Sequence, residues 1–315
     1  MSLKGQSLEL FYVDGHPDGM VTAELYNWTG HVLMVPRTQL GDALKRSEPK
    51  CTGVYILIGD RDGTPFAYIG ESDDVGGRLK NHDVKKDWWN SVIFITTAGD
   101  KLNKAHVRYL EARLIAEARG IRRVELENGT APPVPKLAEA DAAKMEAFIE
   151  NLLIVLPAVR VDMFIERTRP ATKGAGAGVI RIAGPSGQVP QFFLETKKHG
   201  LRAKAFLEAG EFVVEAGSLA RLDWEGVGSE ATSYGQLHAE LKRSGVLRPD
   251  GARSVFAENY AFKSPSAAAA VVNGRPANGT IEWKNEQTGQ TYKEWEARNL
   301  AAGEQGAPAQ DAAGA

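Results

Sequence analysis

The chain has 315 residues, 43% hydrophobic and 25% charged, with 38 Lys and Arg against 40 Asp and Glu. Its apolar content excludes whole-chain disorder, its length suggests about two domains, and its net charge of −2 excludes a globally basic coat for nucleic acid, leaving room for a local basic surface. A single cysteine, Cys51, excludes a disulfide scaffold and a cysteine-rich zinc site. No apolar run approaches the roughly 18 residues of a membrane span, and the opening MSLKGQSLELFYVDG lacks the core of a secretory signal, so a soluble cytoplasmic protein is expected.

Residues 1–48 alternate like short strands. LELFYVDG, MVTAELYN after the turn signal Asp14-Gly15-His16-Pro17, and HVLMVPR predict a small β-meander, followed by a short helix over residues 39–47. From Cys51 to Pro157 the pattern is mixed. GVYILIG (53–59) and FAYIG (66–70) flank Asp60-Arg61-Asp62-Gly63-Thr64-Pro65 and read as a hairpin. ESDDVGGRLKNH (71–82) opens on residues suited to capping a helix, and SVIFITT (91–97) reads as a third strand. KAHVRYLEARLIAEAR (104–119) places Val107, Leu110, Leu114 and Ala118 at helical spacing, and 138–157 forms another helix ended by Pro157.

Residues 171–188 are rich in Gly and small residues and read as a linker; GAGAG within them lacks the strand and amphipathic helix that a dinucleotide loop needs. Beyond it, 211–222 is strand-like and 233–245 helical. Residues 264–275 form a helix capped at Ser264 or Ser266, and 280–295 a hairpin leading into a helix. Residues 301–315 lack core-forming side chains and are expected to be disordered.

Two tyrosines lie in the hairpin. If its turn centres between Arg61 and Asp62, Tyr55 pairs with Tyr68; one residue later, Leu57 does. In both registers Tyr55 and Tyr68 project from one side. On the next helix Val75 and Leu79 mark the buried stripe, with Arg78 beside it and His82 one turn on. A guanidinium rooted there is placed to hold a phosphate in a fork of donors. Glu111 lies between Val107 and Ile115 at helical spacing, flanked by Leu110 and Leu114, and so points toward an apolar face. A carboxylate there needs a divalent cation or an arginine partner.

In order, Gly53-Val54-Tyr55, Tyr68-Ile69-Gly70-Glu71-Ser72, Arg78-Leu79-Lys80-Asn81-His82 and Leu110-Glu111-Ala112-Arg113-Leu114 resemble the GIY-YIG nuclease superfamily over roughly residues 50–130. The resemblance implies an α+β fold with a three-stranded antiparallel sheet flanked by helices. It further implies a metal-dependent endonuclease that hydrolyses DNA phosphodiesters with Mg²⁺ or Mn²⁺. Tyr55 is then the general base or water positioner, Tyr68 its hydrogen-bonding support, Arg78 the phosphate stabiliser, His82 a proton-handling group and Glu111 the metal ligand. Gly70, Ser72 and Asn128 support the site. A phenol with a pKa near 10 is a poor base at neutral pH unless cationic charge lies close by.

The organisation expected is an N-terminal β-rich segment (1–48), a nuclease-like domain (49–160), a basic, Gly-rich linker (161–188), a C-terminal α+β domain (189–300) and a tail (301–315). Residues 51–160 hold 15 Lys and Arg against 16 Asp and Glu, whereas 160–204 hold nine against three. That excess makes Arg167, Arg169 and Lys173 candidate backbone contacts, with Lys80, Lys85 and Lys86 nearer the site and Trp88-Trp89 able to stack on bases. FVVEAGSLARL and SPSAAAAVV, with TIEW after it, resemble a domain of unknown function often appended to GIY-YIG proteins. The SPS-Ala stretch is also similar to a small module found with restriction and modification enzymes. The alternative is a catalytically inactive nucleic-acid-binding or regulatory protein on the same fold, or a nuclease directed at RNA.

Overall fold

Strand alternation organises the first half of the chain, and the two apolar faces it creates are each covered by helices. The computed structural model describes residues 5–129, 132–169, 189–208, 210–225 and 232–305, excepting the side chains of 81–85 and 302–305. It divides into two units, Met1–Glu166 and Arg167–Ala315. Among the described residues no helix is long and apolar enough to cross a membrane.

The first unit runs β1 (Leu8–Tyr12), β2 (Val21–Leu25), β3 (Gly30–Pro36), α1 (Leu40–Ala43), β4 (Gly53–Arg61), β5 (Thr64–Ser72), α2 (Val75–Lys85), β6 (Trp89–Thr97), α3 (Lys104–Ile121), β7 (Glu125–Leu126) and α4 (Glu139–Val155). Its strands form one sheet in the order β1-β2-β3-β6-β4-β5-β7, antiparallel except for the β5–β7 pair. The expected three-stranded sheet is thereby corrected: β4, β5 and β6 are the middle of a seven-stranded sheet. The N-terminal strands join it because β3 pairs with β6 from Gly30↔Thr97 to Pro36↔Ser91.

Val54, Ile56, Ile69, Ile93 and Ile95 face α3 and α4, burying Val107, Leu110, Phe148 and Leu152. Tyr55, Leu57, Val92 and Phe94 face the other way, against Leu40, Val75 and Leu79. The Asp62-Gly63 turn sets the hairpin register. Both residues have positive φ (54° and 76°), the type I′ geometry that matches strand twist. Leu57 therefore lies opposite Tyr68, and Tyr55 opposite Gly70.

The second unit holds β8 (Thr168–Arg169), β9 (Gln191–Thr196), β10 (Leu201–Glu208), β11 (Glu211–Val214), β12 (Leu219–Arg221), α5 (Ser233–Ser244), β13 (Leu247–Asp250), β14 (Arg253–Phe256), β15 (Asn259–Phe262), α6 (Pro265–Asn273), α7 (Gly279–Glu282), β16 (Lys284–Asn285) and α8 (Tyr292–Gln305). The sheets run β16-β9-β10-β11-β15-β8 and β12-β14-β13. Ser264 caps α6, accepting from Ala267 N at 3.1 Å. The helix is buried along its length because its side chains are small, and Trp283 closes on it by donating Nε1 to Pro265 O at 3.0 Å. Phe192, Phe212, Tyr292 and Trp295 complete the core.

Three expectations change here. The span 161–188 is not linker throughout: Val161, Met163 and Phe164 pack into the first core and 168–169 form a strand, while 170–188 lie outside the described residues. Residues 279–282 form a helical turn where a hairpin strand was expected. Helix α8 continues through 301–305, since Ala and Glu sustain a helix once Trp295 anchors it, and 306–315 lie outside the described residues.

Candidate functional site

Tyr55 is fully buried under α2, and its ring centroid lies 6.1 Å from that of Tyr68. The strand opposite has Gly70 at this point, and a Cβ there would sit 2.6 Å from Tyr55 Oη, so only glycine leaves space for the phenol. Arg78 rises from α2 and hydrogen-bonds to both phenols. Burial, with Tyr68 next in effect, holds the Tyr55 phenol well above its ordinary pKa, and Arg78 only partly opposes this. At neutral pH Tyr55 is thus a neutral, precisely oriented hydroxyl held by a cation. The Tyr55 bond in turn raises the Arg78 pKa.

Glu71 projects from the opposite face of β5, toward α3. Lys104 Nζ donates to Glu71 Oε2 at 2.7 Å, and Arg108 Nε lies 3.8 Å from Oε1. Glu111, one helical turn past Arg108, forms no ion pair or hydrogen bond among the described residues. Burial first, then the Glu71 carboxylate, push Glu111 up to about 7, while Lys104, Arg108 and Arg78 pull it down. Arg78 is therefore the group that acts on both halves of the site, bonded to the phenols on one face of β5 and felt by the carboxylate on the other.

Arg78 is aimed by the start of α2. Ser72 Oγ donates to Asp74 O at 2.8 Å, and Asp74 Oδ1 caps the helix by accepting from Gly77 N at 3.0 Å. Asn128 does not reach the phenols or Glu111. Its Oδ1 accepts from Ile69 N at 3.0 Å and its Nδ2 donates to Ile69 O at 2.7 Å, extending the edge of β5. Asn103 caps α3 by accepting from His106 N, and Arg113 with Tyr109 ties that helix to Glu146 of α4.

The structure thus brings together Tyr55, Tyr68, Gly70 and Arg78, while Glu111 stands on α3 across the sheet with Glu71, Lys104 and Arg108 as its larger charged influences. Lys80 is exposed on α2, whereas the side chains of His82 and Lys85 and the whole of Lys173 lie outside the described residues. The remaining basic candidates are engaged internally. Lys86 is ion-paired with Glu127 and sits over the Tyr68 ring at 4.8 Å; Arg167 donates to Ala261 O, and Arg169 pairs with Glu211. Trp89 is buried beneath Arg37, and Trp88 packs on Phe66 and donates to Glu127, so the pair is not a free stacking platform. Sequence reasoning passed over Glu71, Lys104 and Arg108. The spacing of Lys104, Arg108 and Glu111 along one helix stripe was the available signal.

The donor set suits a hard divalent cation. Mg²⁺ is commonly held by one or two carboxylates, with water and substrate oxygens completing the shell, and Glu111 beside Glu71 offers that chemistry. Among the described residues no group of three or more His, Cys, Asp or Glu is placed to hold a metal.

Residues 192–296 match the model of a domain of unknown function, DUF4357. The match lies wholly within the second unit and assigns it no activity. No curated protein and no solved structure matches the chain.

Proposed function

We propose that the first unit is a divalent-metal-dependent endonuclease of the GIY-YIG type that hydrolyses DNA phosphodiester bonds. The observation that carries this reading is the single guanidinium of Arg78, bonded to both Tyr55 and Tyr68 where β4 and β5 meet under α2. The β6-β4-β5 portion of the sheet, with α2 and α3 on its two faces, supports the same reading.

Arg78 offers a scissile phosphate its remaining guanidinium donors and stabilises the charge that builds on the phosphoryl oxygens. Half-buried Tyr68 orients the attacking water by hydrogen bonding, and neutral, fully buried Tyr55 positions Arg78 rather than abstracting a proton. Glu111, with Glu71 beside it, would hold Mg²⁺ or Mn²⁺. When bound, that cation supplies the positive charge that activates water and stabilises the leaving oxygen. Lys104 holds Glu71 in place and tempers the repulsion between the two carboxylates.

One observation favours a second reading, a catalytically inactive nucleic-acid-binding protein: the Lys104 ammonium already supplies a cation to Glu71. Incubation of the purified protein with supercoiled and linear DNA, and with matched RNA, in Mg²⁺ or Mn²⁺ separates the cases. Cleavage of DNA that disappears in Glu111→Ala and Arg78→Ala supports the nuclease. Cleavage that persists unchanged in both overturns the assignment, and cleavage confined to RNA changes the substrate.

A further inference from the structure

Within the second unit, two lysines of the basic run 160–204 are joined by arginines from segments far apart in sequence. The turn between β9 and β10 carries Lys197 and Lys198, both exposed, then His199, and ends at Gly200. Arg253 of β14 donates Nη1 to Gly200 O at 2.7 Å, fastening the turn to the neighbouring sheet. Arg221 of β12 stands directly opposite Arg253 in register, and its Nη1 lies 2.6 Å from His199 Nδ1. Five basic side chains from three segments therefore adjoin. Glu225 pairs with Arg221, while Lys197, Lys198 and Arg253 form no ion pair among the described residues.

We propose that this cluster docks the phosphodiester backbone of nucleic acid. The choice of nucleic acid among polyanions rests on the nuclease reading of the first unit. The rest of the inference rests on the cluster's own chemistry. Lys197 and Lys198 present point charges on an exposed turn, while Arg253 and Arg221, engaged by Gly200 O and by Glu225 and His199, hold that turn in place beside them. The surface has no apolar centre: the large exposed apolar side chains among the described residues of this unit are Ile281 and Leu300, and neither belongs to it. A purely charged surface fits sequence-independent backbone contact better than a protein interface, whose core is apolar and depleted of charge. Glu225 beside Arg221 and Asp250 opposite Arg253 offset the arginines, so the unpaired charge that favours a polyanion sits on Lys197 and Lys198.

The test uses the full-length protein, a fluorescently labelled DNA duplex and EDTA, so that binding is read without cleavage. Lys197→Ala combined with Lys198→Ala is compared with Lys136→Ala combined with Lys144→Ala, which removes equal charge from exposed sites of the first unit. Loss of two phosphate contacts should lower the slope of log affinity against log salt by about 1.8 and weaken binding roughly thirtyfold at 0.15 M salt, with the comparison pair near wild type. Equal behaviour of the two double variants overturns the proposal. Displacement of the duplex by polyglutamate at equal charge also overturns it, assigning the surface to an acidic protein. Cleavage is scored separately in Mg²⁺ or Mn²⁺. Turn-dependent binding without cleavage upholds the docking surface and removes the nuclease reading, and cleavage with turn-independent binding does the reverse.

Discussion

Asn128 pairs with Ile69 through both ends of its amide, taking the place of a strand neighbour at the point where β7 stops and β5 continues to Gly70. The backbone N–H and C=O of Ile69 would otherwise face the edge unpaired. Asn128→Ala removes both bonds and should cost about 1–3 kcal/mol in denaturant unfolding. Because Tyr68 and Gly70 flank Ile69, cleavage by the variant should also fall. Unchanged stability would show that water satisfies this edge.

Gly70→Ala tests how tightly the phenol is seated. The added methyl would lie 2.6 Å from the Tyr55 ring, and that ring is packed into the same core as Leu79 and Val75. We expect a loss of roughly 1–3 kcal/mol by overpacking, and a larger fall in cleavage than in DNA affinity. Restored stability in Gly70→Ala with Tyr55→Phe would locate the clash at the hydroxyl.

Glu111 should trade stability against activity. Its pKa of about 7 lies above its ordinary 4.5, so the folded state holds a proton that the unfolded chain releases. In EDTA, stability contributed at this position is therefore lost as pH rises from about 4.5 to about 7. Glu111→Gln should match wild type at pH 4, exceed it increasingly up to pH 7, and be inactive throughout. Thermal melts across that range, paired with plasmid cleavage, read both effects. Below pH 7 the Mn²⁺ affinity of the wild type should rise about tenfold per pH unit, as proton and cation compete.

The Glu146 carboxylate has the opposite sign. Bidentate bonding from Arg113, helped by Tyr109, depresses its pKa to about 2. Its stabilisation is present above the ordinary 4.5 and is lost as pH falls toward 2. The pair is about one third exposed, so Glu146→Gln should cost only about 1 kcal/mol at neutral pH after screening. The two proteins should converge in acid.

Local signals carried much of this architecture. The strands of residues 1–97 and the capped helices α3 and α6 follow from period and capping residues, whereas β9, β10 and β13 to β15 of the second unit gave no such signal. Tyr55, Tyr68, Arg78 and Glu111 came together as a set through motif resemblance. Asp62 and Gly63 at positive φ decide the hairpin register, and an Asp-Gly pair is itself the signature of that turn. Long-range pairings left no comparable trace. Nothing near Gly30 announces Thr97 as its partner, and nothing near Asn128 announces Ile69. Charge counting failed for the same reason: it saw Arg167 and Arg169 as free, when Ala261 and Glu211 engage them. It also could not bring Arg221 and Arg253 to the turn that carries Lys197.

The seven-pair seam between β3 and β6 bears on how this protein can be dissected. A fragment begun at residue 49, just before β4, would expose the backbone of residues 91–97 as a raw edge and bare Val92 and Phe94. Such an edge invites other chains to add themselves. The piece that can stand alone therefore begins with the strands at Leu8 and ends near Glu166.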